Sequence, residues 1–139
     1  MKKIFIFLLI FFLAFILNFL WEILHFPLYI DLTGIPKYPH LLIATLTDAI
    51  IITFIFMFIS LLNKNISWIR HPKISDYLLI IIPTLIIASA IELYSVSHGR
   101  WSYKEFMPTI FGIGLSPLLQ LAVTGILVFL IIRQIRSVF

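Results

Sequence analysis

Four long apolar runs, separated by short polar and proline-bearing stretches, take up most of the chain. Each run holds about 20 residues, enough for a helix to cross a hydrocarbon core ~30 Å thick. The pattern predicts helices over residues 4–26, 41–62, 77–96 and 109–132. Pro27, Gly34, Pro36 and Pro39 punctuate the first connection, Pro72 the second (63–76), and the third covers 97–108. None of these connections could form a soluble domain. Residues 1–139 are therefore expected to be a single integral membrane domain, with an all-α fold: a four-transmembrane-helix bundle.

Composition sharpens this picture. Of 139 residues, 62% are hydrophobic and only 12% charged, with a mean hydropathy of +1.14. A soluble domain of this size needs more polar surface than that. Cysteine is absent, which excludes disulfides, thiolate metal sites and cysteine nucleophiles. Met1-Lys2-Lys3 before an apolar run resembles a signal peptide. The run exceeds an ordinary signal core, however, and bulky Trp21, Ile23, Leu24 and Phe26 stand where a cleavage site needs small residues. It is expected to remain as the first helix.

The formal charge of +4 does not indicate nucleic acid, because the basic residues lie at helix ends rather than in one patch. Lys2, Lys3, Lys64, Arg70, Lys73, Arg133 and Arg136 fall on one side of the expected bundle, and Lys37, Arg100 and Lys104 on the other. That excess predicts both termini in the cytoplasm and a multi-pass protein of the cell membrane. Trp21, Tyr29, Tyr38, Tyr94, Trp101 and Tyr103 would form an outer aromatic belt, with Trp68 and Tyr77 at the inner level. Membrane lipids are the expected partners, and a homodimer is compatible with so small a bundle.

Three acids interrupt the apolar runs: Glu22, Asp48 and Glu92, each on a different helix. An acid at the centre of a membrane helix costs roughly 2.5–3.5 kcal/mol on insertion scales. The fourth helix carries Gln120 instead. At 1.5 Å per residue, Glu22 and Glu92 fall roughly 7 Å below the outer helix ends, Asp48 about 12 Å and Gln120 about 18 Å. All four belong to the outer half. Asn18, Glu22 and His25 share one helical face, as do Thr45 with Asp48 and Ser89 with Glu92. Gly112, Ser116, Gln120 and Thr124 recur every four residues, a spacing that lets helices approach closely. Two readings compete: buried acids joining helices, or solvated at the interface, as structural elements, and a functional site.

Glu22 and His25 form Glu-x-x-His, a spacing that di-iron bundles use twice but that occurs once here. A divalent metal held by Glu22, His25, Asp48 and Glu92 is therefore only a weak candidate. In the third connection, Arg100 beside Trp101 could clamp an anionic headgroup or pair with Glu92, or simply anchor the interface. Pro83 and Pro117 are expected to kink the third and fourth helices.

Asn18–Tyr29, Gly99–Tyr103, Met107-Pro108 and the stretch Gly112-Ile-Gly-Leu-Ser-Pro-Leu-Leu-Gln120 resemble a family of small multi-pass bacterial membrane proteins of uncharacterised activity. The resemblance implies the four-helix layout and no activity, cofactor or ligand. In layout alone the chain is also similar to four-helix sterol-isomerase-like membrane domains, which arrange acids and Trp around a pocket for an apolar ligand.

The functional expectation is a membrane-embedded enzyme or binding protein for a lipid or other apolar molecule. Glu22, Asp48 and Glu92 would act as acid/base or ligand-binding groups, with His25 and Gln120 tuning them. Asn18, Trp21, Arg100 and Trp101 would contact the substrate. The alternatives are a small proton- or ion-coupled transporter and a structural subunit of a larger complex.

Overall fold

The computed structural model describes residues 2–30 and 37–135. Gly34, Pro36 and Arg136, and the side chains of Lys2, Lys3 and Lys37, lie outside the described residues. The elements run in the order α1 (Lys2–His25), a 3-10 turn (Phe26–Leu28), β1 (Tyr29–Ile30), α2 (Lys37–Leu62) and a second 3-10 turn (Ile66–Arg70). These are followed by α3 (Ile74–Ser97), β2 (Ser102–Tyr103), β3 (Thr109–Ile110), β4 (Ile113–Gly114) and α4 (Leu115–Gln134). All four helices contain spans long and apolar enough to cross a membrane: Ile4–Leu28, Tyr38–Leu62, Ile74–Ser97 and Leu115–Gln134.

Several boundaries differ from the sequence expectation. Helix α2 begins at Lys37 rather than 41, so Pro39 sits in its first turn, where no intrahelical N–H bond is needed. Helix α3 begins at Ile74 rather than 77 because Asp76 caps it. Its Oδ2 accepts the Lys73 N–H at 2.8 Å, while Asn63 Nδ2 donates to Oδ1 at 2.8 Å.

The largest correction concerns α4, which starts at Leu115 and not at 109. Residues 109–114 form a hairpin whose tip, Phe111 and Gly112, has φ of 51° and 79°. Two successive left-handed residues make the tight turn that matches strand twist. Apolar Ile110, Phe111 and Ile113 hid that turn in the sequence. Gly112 therefore does not belong to the helical stripe with Ser116, Gln120 and Thr124. Pro117 falls in the first turn of α4, where its missing N–H has no partner to lose, so it does not kink the helix. Pro83 does lie inside α3.

Helix α1 packs against α2 and α4, and α3 packs mainly against α4; the α2–α3 seam is sparse. At the end carrying the first and third connections, called the upper end below, β1 pairs antiparallel with β2, setting Tyr29 opposite Tyr103. The lower half is an apolar core centred on Ile10, Ile52, Phe56, Ile59, Phe129 and Ile132. Phe56 lies 5.5 Å from Phe7 and 5.8 Å from Phe129, measured between ring centroids. Trp68 belongs to this core and not to an interfacial belt: it is buried, and its Nε1 donates to Ser60 Oγ at 3.0 Å.

Candidate functional site

Helix length and register carry one polar residue from each helix to the same level. With α4 starting at Leu115, Gln120 lies roughly 7.5 Å below the upper end of its helix rather than 18 Å. Its Nε2 is 2.9 Å from Glu22 Oε1, 2.8 Å from Asp48 Oδ2 and 3.2 Å from Asn18 Oδ1. One amide carries two N–H donors, so three acceptors compete for them. The two shortest contacts are to the carboxylates. Thr124 Oγ1 reaches Asn18 Oδ1 at 3.1 Å, and Asn18 Nδ2 donates to Ala14 O at 2.8 Å.

A second chain of bonds fixes His25. Trp21 Nε1 donates to Ser116 Oγ at 3.1 Å, and Ser116 Oγ lies 3.0 Å from His25 Nδ1. An indole can only donate, so Ser116 Oγ accepts from Trp21 and has both its hydrogen and a second lone pair available to His25 Nδ1. The other ring nitrogen, Nε2, lies 3.0 Å from Glu22 Oε2. His25 and Glu22 are both buried, and theirs is an i, i+3 pair within α1.

Glu92 stands on α3 and is anchored from the third connection. Its Oε2 accepts from Trp101 Nε1 at 3.0 Å and from the Tyr103 hydroxyl. The expected Arg100–Glu92 pair does not form; the Arg100 guanidinium instead lies 5.0 Å over the Tyr94 ring. The His25–Glu22 contact is at ion-pair distance, and it carries a counter-charge only when both His25 ring nitrogens are protonated. Tyr29 and Tyr103, paired across the β1–β2 ribbon, both resist ionisation. Burial is the main cause for each. The Glu92 charge adds to it for Tyr29, and the hydrogen bond to Glu92 adds to it for Tyr103.

Glu22, Asp48, Glu92 and Gln120 line one cavity of about 620 Å³ between the four helices, together with His25, Arg100 and Trp101. Asn18 and Trp21, expected to touch a substrate, do not line it; they hold Gln120 and Ser116 from behind. Thr45 and Ser89 also stay outside the lining. Phe26, Tyr29, His40 and Trp101 wall the upper end, with Tyr29 and Trp101 rings 6.2 Å apart and His40 and Trp101 rings 5.7 Å apart. Ile43, Thr47 and Ile91 line the cavity and are also exposed, so it opens sideways between α2 and α3.

Among the described residues no three His, Asp or Glu side chains gather as a metal-binding group. The weak candidate set is divided: Glu22 and Asp48 share Gln120, while Glu92 is held by Trp101 and Tyr103.

Sequence reasoning missed Ser116, read as a packing residue, and gave Tyr29 and Tyr103 only a place in an aromatic belt. Ser116 depends on α4 lying against α1, and the two tyrosines on the pairing of the first and third connections, neither of which spacing along a helix reveals.

Fold and site together define a four-helix bundle with helices of membrane-spanning length and a carboxylate-lined cavity near one end. No protein-family model, curated protein or solved structure matches the chain.

Proposed function

We propose that this is a multi-pass membrane protein that binds, and acts on, a lipid or other apolar small molecule in this cavity. Its termini would face the cytoplasm, as the distribution of Lys and Arg suggests. Glu22, Asp48 and Glu92 are the ligand-binding or acid/base groups. His25 and Gln120 orient two of them, and Trp101 borders the polar end of the ligand.

The observation that carries this reading is the position of the mouth. A cavity lined by carboxylates opens through Ile43, Thr47 and Ile91, side chains that on membrane-length helices face acyl chains rather than water. Enclosed, mostly apolar pockets with a few convergent polar groups are the usual form of small-molecule sites. Transport is supported less well. Phe56, Trp68 and Phe129 pack ring against ring in the lower half.

A membrane-partitioned alkyl diazirine tests the proposal. Leu121 lines the cavity yet is only 3% exposed, so a lipid-soluble probe reaches it only from inside. Peptide mapping should find label on Leu121, and Ala44→Trp at the cavity wall should remove it. Labelling confined to outward-facing side chains, unchanged by Ala44→Trp, would sink the reading.

A further inference from the structure

The charges around the cavity are unbalanced. Glu22 is answered by His25 and Gln120, but Asp48 receives only the Gln120 amide and Glu92 only neutral indole and phenol donors. Asp48 Oδ1 and Glu92 Oε1 accept no hydrogen bond from any described residue, although both side chains line the cavity. Glu92 as a whole is 5% exposed, and its side chain lines the cavity. Arg100, the nearest fixed cation, is turned onto Tyr94 and pairs with neither acid. Buried carboxylates without a counter-charge are costly, and an occupant that supplied one would remove the cost.

The walls fit the same occupant. Aromatic side chains crowd the upper end, where Phe26, Tyr29, His40 and Trp101 line the cavity and Trp101 is bonded to Glu92. The negative faces of Phe, Tyr and Trp rings attract a desolvated cation. Below and beside them, Ile43, Ala44, Ala88, Ile91 and Leu121 offer only apolar surface, continuous with the sideways mouth.

We infer that the ligand is an amphiphile whose polar end is a cationic nitrogen, seated between the aromatic wall and the free oxygens of Asp48 and Glu92, with its hydrocarbon part in the α2–α3 seam. This rests on the reading of the cavity as a site for an apolar molecule, and adds its charge.

The experiment uses three competitors with one decyl chain: a trimethylammonium head, its uncharged carbon analogue and a sulfonate. Each is tested for its ability to suppress alkyl-diazirine labelling of Leu121 in nonionic micelles, with concentrations corrected for measured partition into the micelle. The ammonium compound should compete at roughly tenfold lower concentration than the carbon analogue, and the sulfonate least well. Glu92→Gln and Asp48→Asn should each shrink the advantage of the ammonium compound over the carbon analogue. Equal competition by ammonium and carbon heads on the unaltered protein overturns the inference while leaving an apolar ligand in place. Absence of Leu121 labelling overturns the proposed function and this inference together. An ammonium preference that survives both substitutions overturns the assignment to Asp48 and Glu92. The comparison of head groups on the unaltered chain needs no variant to fold.

Discussion

Gln120 and Asp48, 72 residues apart in sequence, meet through a 2.8 Å hydrogen bond from Nε2 to Oδ2. The bond crosses the diagonal of the bundle, between two helices that otherwise scarcely touch. It also ties Asp48 to Glu22, because the same amide serves both acids. Gln120→Leu would keep the bulk, leave Asp48 without its side-chain donor and remove one of the two partners of Glu22. A loss of about 1–3 kcal/mol is expected, read as a lower unfolding midpoint in detergent micelles. An unchanged midpoint would show that the amide holds nothing together.

Gly114 sets the position of the donor on the opposite wall. A Cβ there would lie 2.9 Å from Tyr103 Cε1 and 3.2 Å from Pro117 Cδ. The tyrosine ring is fixed by the β1–β2 ribbon and by Glu92, so it has little freedom to yield. Gly114→Ala should therefore loosen the Tyr103–Glu92 bond and reproduce the effect of Tyr103→Phe. Measured by unfolding, the double variant should lose clearly less than the two single losses combined. Full additivity would mean that Gly114 acts elsewhere.

The phenols of Tyr29 and Tyr103 stay protonated beyond the ordinary tyrosine value of 10.0. The sign follows directly. Between neutral pH and that value the phenol binds its proton in both folded and unfolded chains, and stability does not change on its account. Above it the unfolded phenol ionises first, so stability falls as pH rises. In an ultraviolet titration of folded protein, Tyr29→Phe and Tyr103→Phe should leave the phenolate signal near pH 10 at full size. A drop in that signal for either variant would contradict the buried, Glu92-bound setting.

The cysteine-free chain makes topology easy to test. His71 is exposed at the lower end, between α2 and α3, and Glu105 is exposed in the third connection. In intact cells a membrane-impermeant maleimide should label Glu105→Cys, and should reach His71→Cys only after permeabilisation. The opposite pattern would reverse the proposed orientation.

Helix number and the residues that reach the cavity could be read from spacing, because acids in apolar runs and helical periodicity both act locally. Glu22, Asp48, Glu92 and Gln120 were each visible as a costly residue on its own helix. The start of α4 was not, since Ile110, Phe111 and Ile113 make a hairpin look like the head of a helix. The partner of Glu92 was misread for a related reason. A formal charge on Arg100 stood out in the sequence, whereas Trp101 and Tyr103 reach the acid only because β2 is held by β1. Ser116 likewise became a ligand of His25 only when α4 was laid against α1.

The sparse seam divides the molecule into two hairpins, α1–α2 and α3–α4, which share a spine where α1 meets α4 and a clasp where β1 meets β2. Glu22 and Asp48 ride on one leaf, Glu92 and Gln120 on the other. Spreading the leaves would widen the chamber without unpacking either hairpin, but it would break the Gln120–Asp48 and Asn63–Asp76 bonds and part Phe56 from Phe129. The thinly packed α2–α3 side is thus the wall at which the chamber has most freedom to change its width.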